Sequence, residues 1–291
     1  MAFAPAFTDA YDDFGMNLDA LPYTVLLILA EFSVGSLAAV LIADARGMVV
    51  AGFVKLSAGI VVVGAALTLL SALNVSSAQL ENYRLDEAMF DPMRIAFGIF
   101  LALALSYAWF VLREQRRLSL AAGGLAMAVG FAGLGLLAYQ VSPPTWGFAG
   151  PLLSLLVGAL ALGLVSEAMI LGHWYLVKPK LPGQPLQELT FLLLAILVLQ
   201  AALLVLNATV PAGDTPESAA LMAGSLGANP AFWLRVGVGL LFPLALAYMA
   251  WQSSKERAMM SATGLLYIAV GAVFTGELLA RGILFVTGAP V

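Results

Sequence analysis

Hydrophobic residues fall into eight long runs along the chain, and polar residues are concentrated between these runs. About 20 apolar residues are what a helix needs to cross roughly 30 Å of hydrocarbon. The apolar/polar alternation that is typical of barrel strands is absent, so helices are expected. With Pro, Asn and charged clusters as boundaries, the pattern predicts eight membrane-spanning helices, at residues 22–44, 48–74, 92–113, 118–140, 151–178, 186–207, 231–252 and 259–287.

The composition supports a membrane protein. Hydrophobic residues make up 62% of the 291 residues and charged residues only 10%, which is more apolar surface than a soluble domain buries. We therefore expect an all-α integral membrane protein. The chain has no cysteine and one histidine, which excludes disulfides, cysteine-held iron–sulfur clusters and bis-histidine haem within it.

Basic residues occur between alternate pairs of predicted helices. The segments after the first, third, fifth and seventh helices carry Arg46, Arg113, Arg116, Arg117, Lys178, Lys180, Lys255 and Arg257. The opposite segments carry Arg84 and several acids, namely Glu81, Asp86, Glu87, Asp91, Asp214 and Glu217, and the N-terminal segment 1–21 is acidic too. The positive-inside rule then places the basic segments in the cytoplasm and both termini outside it.

One stretch of the sequence occurs twice. Residues 94–135 and 235–276 align without a gap, 141 residues apart. The alignment keeps two Arg, one Tyr and four Gly in register, by matching Arg94, Gly98, Tyr107, Arg116, Gly123, Gly130 and Gly135 with Arg235, Gly239, Tyr248, Arg257, Gly264, Gly271 and Gly276. Nearer the N-terminus, Glu31 matches Glu167 more faintly. This self-similarity indicates an internal duplication.

The duplication has a consequence for the fold, because four predicted helices separate each copy from its counterpart. An even number of helices preserves orientation, so the repeat is expected to be parallel. The predicted architecture is two four-helix bundles, residues 22–140 and 151–287, related by an axis along the membrane normal. Small residues at helical spacing are expected to let helix backbones approach closely within each bundle, at Gly123, Gly130, Gly264 and Gly271.

Few ionisable residues lie within the predicted helices, and each is a candidate functional residue because charge in hydrocarbon is costly. Glu31 and Glu167 are expected at equal depth, near the middle of the membrane. Glu277 and Arg281 lie one helical turn apart in the outer part of the last helix, where they can pair. The buried acids are either hydrogen-bonded structural carboxyls or parts of a proton path or ligand site, and their depth favours the functional interpretation.

Three further residues are candidates. Arg94 and Arg235 open the third and seventh helices, and each taken alone is most simply an arginine that extends to the interface. Together with the acids they indicate a polar outer half that holds a ligand with a small polar head or docks another protein. His173, the only histidine, lies about 10 Å inward from Lys180 by helical rise, where it either exchanges a proton or bonds a neighbouring carbonyl.

The last predicted helix contains Gly276-Glu277-Leu278-Leu279-Ala280-Arg281, and the first contains the small-residue-rich Glu31-Phe32-Ser33-Val34-Gly35-Ser36. With eight helices, both termini outside and a parallel repeat, these segments resemble the NrfD-like family, the membrane-anchor subunits of DMSO reductase and polysulfide reductase. The resemblance implies a haem-free subunit of the bacterial inner membrane that binds menaquinone or another quinone near the outer face. Glu31 then falls on the helix that lines the pocket, and Glu277 and Arg281 fall on the family's terminal segment.

The resemblance also implies partners. Electrons would pass between the quinone pool and an iron–sulfur subunit on the outer side, and a separate catalytic subunit would carry out the chemistry of a respiratory or photosynthetic redox complex. Membrane lipid surrounds such a subunit, and nucleic acid is not a partner.

Two other functions stay open at this point. One is a structural subunit whose polar half docks neighbouring proteins in a membrane complex. The other is a secondary transporter, since internal repeats and buried charges are also typical of transporters. The paired mid-helix Gly and Pro breaks of many transporters are absent, however, and only Pro243 interrupts a predicted helix.

Reporter fusions test the predicted topology. We expect a reporter that is active only outside the cytoplasm to be active at both termini, because the basic segments are expected to stay inside. A cytoplasm-active reporter inserted between the third and fourth helices, beside Arg113, serves as the control. A cytoplasmic N-terminus would contradict the prediction.

Overall fold

The computed structural model describes residues 20–76, 83–210 and 226–291, and these residues form helices and their connections without a β-strand. Eight of the helices are long and apolar enough to cross a membrane, as each spans about 35–44 Å at 1.5 Å per residue. They are α1 (Leu21–Ala45), α2 (Ala51–Asn74), α3 (Phe90–Leu112), α4 (Arg116–Gln140), α5 (Ala149–Val177), α6 (Gln184–Thr209), α7 (Pro230–Lys255) and α8 (Met259–Thr287). For the described residues, the prediction of an all-helical fold with eight helices long and apolar enough to span a membrane is confirmed.

The predicted helix ends agree with the observed ends to within three residues. The acidic N-terminal segment up to residue 19 lies outside the described residues. So do three of the acids between helices, Glu81, Asp214 and Glu217.

Local sequence determines where several helices begin and end. Proline occupies the first turn of α1, α6 and α7, where its missing N–H leaves no hydrogen bond unmade. At the start of α7, the Asn229 side chain accepts a hydrogen bond from the backbone N–H of Ala231 at 2.9 Å. After α3 and α7 the chain turns through a left-handed residue, Glu114 with φ 58° and Arg257 with φ 61°. These turns close two tight antiparallel helix pairs.

Helices α1 and α5 form the centre of the protein and are largely buried. They cross where Gly35 faces Gly163. A Cβ atom on Gly163 would lie 2.0 Å from the Gly35 carbonyl carbon, and one on Gly35 would lie 1.7 Å from the Ala159 oxygen. No side chain fits between the two backbones, so these glycines are what allows the helices to touch.

The other six helices pack around this central pair. On one side α1 contacts α2, α2 contacts α3, α3 contacts α4, and α4 returns to α1. On the other side α5, α6, α7 and α8 contact one another in the same cyclic order, and α8 returns to α5. Further contacts of α4 with α5 and of α8 with α1 complete the central interface.

Residues matched in the ungapped sequence repeat lie on different faces of their helices. Tyr107 is 0% exposed, whereas its match Tyr248 is 49% exposed. Gly123 lies against the Tyr107 ring, but a Cβ atom on Gly264 or on Gly271 would have no neighbour within 4 Å. The predicted close approach of backbones is therefore wrong at Gly264 and Gly271, and the ungapped register does not align the buried faces.

The crossing of α1 and α5 leads to a prediction about stability. We expect Gly163→Ala to lower the free energy of unfolding by roughly 1–3 kcal/mol, because its methyl group overlaps the backbone of α1. Gly264→Ala is the matched control, since its methyl group enters open space and alanine favours a helix. Thermal unfolding in detergent, followed by circular dichroism, measures both. Equal unfolding temperatures for the two variants would contradict the contact.

Candidate functional site

Four charged side chains from three helices meet inside the protein, and we name them the ion cluster: Glu31 of α1, Arg235 of α7, and Glu277 and Arg281 of α8. Each is at most 1% exposed. Arg281 contacts both acids. Its Nη2 lies 2.5 Å from Glu31 Oε1 and its Nε lies 3.1 Å from Glu31 Oε2, which is a two-point contact, and Nη2 also lies 2.9 Å from Glu277 Oε2.

Helix α5 provides the remaining acceptors for Arg281. Its Nη1 donates to Ser154 Oγ at 2.8 Å, and its Nη2 donates to the Ser154 carbonyl at 3.1 Å. All three guanidinium nitrogens of Arg281 are therefore hydrogen-bonded, to groups from α1, α5 and α8. This arrangement fixes the plane of the guanidinium and holds the three helices at one point.

Glu277 joins the second arginine to the cluster. Its Oε1 accepts a hydrogen bond from Gln200 Nε2 of α6 and lies 3.4 Å from Arg235 Nη2. Arg235 Nη1 also donates to the Gly239 carbonyl at 3.1 Å. Gly239 lies in a π-helical turn of α7, Gly237–Leu241, and such turns interrupt the regular pairing of helix carbonyls.

Glycines make room for the cluster. A Cβ atom on Gly158 of α5 would lie 2.6 Å from each of three atoms, Arg281 Nη2, Glu277 Oε2 and Glu31 Oε1. A Cβ atom on Gly276 would lie 2.7 Å from Arg235 Nη1. The charged groups therefore lie directly against helix backbone.

The charges of the cluster balance, since two arginines face two carboxylates. Moving a single charge from water into an apolar interior costs several kcal/mol. Opposite charges at close distance, together with further hydrogen bonds, offset that cost. The balance holds only while both acids are ionised. Loss of any one of the four side chains leaves an uncompensated charge.

Two polar atoms at the cluster make no hydrogen bond with any described residue, although they are buried. They are Arg235 Nε, which is a donor, and Gln200 Oε1, which is an acceptor. Buried polar groups are nearly always paired in folded proteins. A ligand that accepts a hydrogen bond at one point and donates one nearby would satisfy both atoms.

The cluster lies nearer one end of the helices than the other. Arg281 is six residues from the end of α8, and Ser154 is five residues from the start of α5, which places them about 8–9 Å from that end by helical rise. This is the end at which Asp86, Glu87 and Asp91 are found. The basic segments are at the opposite end.

Glu31 and Glu167 do not lie at the same depth along the helices. The Glu31 carboxylate lies level with Gly158 of α5, whereas Glu167 is nine residues further along α5, about 13 Å away by helical rise. Glu167 Oε2 accepts a hydrogen bond from Ser57 Oγ of α2 at 2.5 Å. The expectation of equal depth is wrong, and Glu167 is not part of the ion cluster.

Arg94 and His173 also lie apart from the ion cluster. Arg94 donates to the carbonyls of Ala72 and Val75, both at 3.0 Å, and so binds the C-terminal end of α2. His173 is exposed, and its Nδ1 lies 3.2 Å from the Tyr267 hydroxyl. Of the seven predicted site residues, the structure brings together Glu31, Arg235, Glu277 and Arg281.

Sequence reasoning missed three contributors to the cluster. Gln200 was detectable, because an amide within an otherwise apolar helix needs a partner. Ser154 gives a weak signal, since serine within a membrane helix commonly bonds its own backbone. Gly158 gives none, because its function is to leave space for side chains from other helices.

Removing Arg281 is expected to destabilise the protein strongly. Arg281→Met leaves two buried carboxylates with only Arg235 beside them, and breaking a buried ion pair costs roughly 3–5 kcal/mol. Arg46→Met is the matched control, because it breaks a partly exposed pair with Glu188 and such pairs contribute under about 1 kcal/mol. Unfolding of both variants in detergent measures the difference. Similar effects for the two would show that the cluster is not the buried network described above.

Comparison with known proteins adds no assignment. No family model matches this chain, and no curated protein matches it.

Proposed function

We propose that this chain is a haem-free membrane-anchor subunit that binds a quinone at the ion cluster. It would pass electrons between the quinone pool and an iron–sulfur subunit of a bacterial respiratory or photosynthetic redox complex. The observation that carries the proposal is a buried donor and a buried acceptor, Arg235 Nε and Gln200 Oε1, which make no hydrogen bond within the part of the chain that the structure describes. Arg235 Nε can donate a hydrogen bond to a quinone carbonyl, and Gln200 Oε1 can accept one from a quinol hydroxyl.

In this function the residues of the cluster would bind the quinol and accept its protons. A bound quinol supplies two electrons and two protons. Gln200 Oε1 would accept the hydrogen bond of one hydroxyl and thereby orient it. Glu277, whose Oε1 is bonded by Gln200 Nε2, would take up a proton, and Arg281 would hold Glu31 ready as a second acceptor. Electrons would leave to the partner and not to any group of this chain.

The location of the cluster supports such a role. It lies near the end of the helices that carries the acidic segments, and we infer that this end faces away from the cytoplasm. An iron–sulfur subunit and its catalytic subunit would bind at this end, and both termini would lie on the same side. The eight basic residues at the other end support this orientation through the positive-inside rule, in a bacterial inner membrane.

We further propose that the two halves of the chain are parallel repeats, in a register that contains gaps. The support comes from burial. Three residues of α3 and three of α7, each 143 positions later, are all at most 2% exposed: Phe97, Ala104 and Tyr107, with Leu240, Ala247 and Ala250. In this register Gly35 matches Gly163, 128 positions later, in place of the match of Glu31 with Glu167, and the contact of the two glycines then suits helices related by a twofold axis along the membrane normal.

A structural docking subunit is the second candidate. The observation that favours it is the near-complete burial of all four charged side chains, as expected of a network that only joins helices. In this function the cluster would stiffen the end of the protein where other subunits bind. The two candidates differ in whether the isolated chain binds a quinone.

Binding of a quinone to the purified chain tests the proposal. We expect a short-chain naphthoquinone to bind the chain in lipid nanodiscs, and Gln200→Leu to weaken that binding about tenfold, the effect of losing one buried hydrogen bond. Gln200→Leu is preferable to Glu277→Gln because it preserves the charge balance. Calorimetry or fluorescence quenching measures the affinity.

Two controls complete this test. Gln252→Leu removes an exposed amide that bonds Tyr248, and His173→Ala removes the exposed histidine, so both variants are expected to bind like the parent. If the parent chain binds no naphthoquinone but still assembles with its partners, the docking function replaces the quinone proposal.

A further inference from the structure

A second buried polar site lies between α5 and helices of the first half of the protein, and the ion cluster does not include it. Glu167 of α5, Ser57 of α2 and Tyr107 of α3 are all 0% exposed. Ser57 donates to Glu167 Oε2. Glu167 Oε1 and the Tyr107 hydroxyl are buried and form no hydrogen bond with any described residue. Because buried polar atoms are nearly always paired, each of these two atoms points to a hydrogen-bonding occupant such as a buried water.

The Tyr107 ring lies near the end of α1. A Cβ atom on Gly123 would lie 3.0 Å from the Tyr107 ring and 2.7 Å from the Leu41 side chain, and Leu41 precedes Asp44 by three residues on α1. Asp44 is the next-to-last residue of α1 and is 8% exposed, at the end of the helices that carries the basic residues. Tyr107 therefore lies about one helical turn from Asp44, an acid close to the surface.

A cavity of about 260 Å³ opens at this basic end, and its walls include Asp44, Val54 and Val111. Val54 precedes Ser57 by three residues on α2, and Val111 follows Tyr107 by four residues on α3. Residues three or four apart lie on one face of a helix, about one turn from each other. The cavity therefore ends about one helical turn from the Ser57 and Tyr107 hydroxyls.

The cavity is lined by paired charges, which favour water. Lys55 Nζ lies 2.8 Å from Glu114 Oε1, and this hydrogen bond lowers the pKa of the Glu114 carboxyl. Arg116 Nη2 donates to the Asp44 carbonyl at 2.5 Å, and its Nε lies 3.6 Å from Asp44 Oδ1. With Ser119 of α4, these are the polar groups that α1, α2, α4 and the turn after α3 present to the cavity.

We propose that Glu167 is a proton-binding site that exchanges its proton with the basic end of the protein, through the Tyr107 hydroxyl and the cavity at Asp44. A water molecule bonded to Glu167 Oε1 and to the Tyr107 hydroxyl takes the carboxyl proton as its O–H bond breaks. The tyrosine hydroxyl accepts a proton on one side and donates its own on the other, towards the cavity. A second proton returns by the same route, so no net charge is moved. The proposal does not depend on quinone binding.

Infrared hydrogen–deuterium exchange of the purified chain in nanodiscs tests this proposal. We expect a protonated-carboxyl C=O band that disappears in Glu167→Gln and that shifts when the parent protein is moved into D₂O. In Tyr107→Phe the shift is expected to slow about tenfold, the size of effect that follows from removing one buried hydrogen-bonding group. Tyr248→Phe is the matched control, because that hydroxyl is exposed and bonds Gln252, and it is expected to exchange like the parent.

Ser57→Ala assigns the band independently of Glu167→Gln. It removes the hydrogen bond to Glu167 Oε2, and so it is expected to move the C=O band to higher frequency without removing it. The absence of a band sensitive to either variant would overturn the proposal. Equal exchange rates in the parent, Tyr107→Phe and Tyr248→Phe would also overturn it, since the route through Tyr107 would then not carry the proton.

Discussion

The arrangement of the helices depends on the hydrogen bonds of Arg281. A guanidinium among apolar helices costs several kcal/mol unless it is paired, and Arg281 finds its acceptors on two other helices besides its own. Glu31 comes from the centre of the first half, Ser154 from the start of α5, and Glu277 from one turn back on α8. Because the partners belong to separate helices, the charge is compensated only when those helices pack in this one arrangement.

That arrangement requires backbone contact, which the glycines supply. Gly35 and Gly163 allow α1 and α5 to touch, and Gly158, five residues before Gly163 on α5, leaves space for the charged groups. Larger residues would separate the helices and lengthen the contact of Arg281 with Glu31. The glycines and the buried charges therefore depend on each other. Close packing of the helices brings the opposite charges together, and these contacts take the place of the water that would otherwise solvate the ions.

The sequence predicted the eight helices well, because span length and hydrophobicity depend on local sequence alone. It also identified four members of the ion cluster, since charge inside an apolar run is conspicuous. The sequence did not predict correctly which side of a helix is buried, or how deep Glu31 and Glu167 lie relative to each other. A register error of two residues turns a side chain by about 200°, which is enough to separate buried Tyr107 from exposed Tyr248. Height depends on where helices cross, and the crossing at Gly35 and Gly163 has no signature in the spacing of acids.

Glu31 and Glu167 have one relation that the sequence did not reveal. Glu31 lies on α1, in the first half of the chain, yet its partner Arg281 lies in the second half. Glu167 lies on α5, in the second half, yet it bonds Ser57 in the first. Each acid therefore reaches across the α1–α5 contact. Both sites therefore depend on the close packing of α1 and α5, which Gly35 and Gly163 allow.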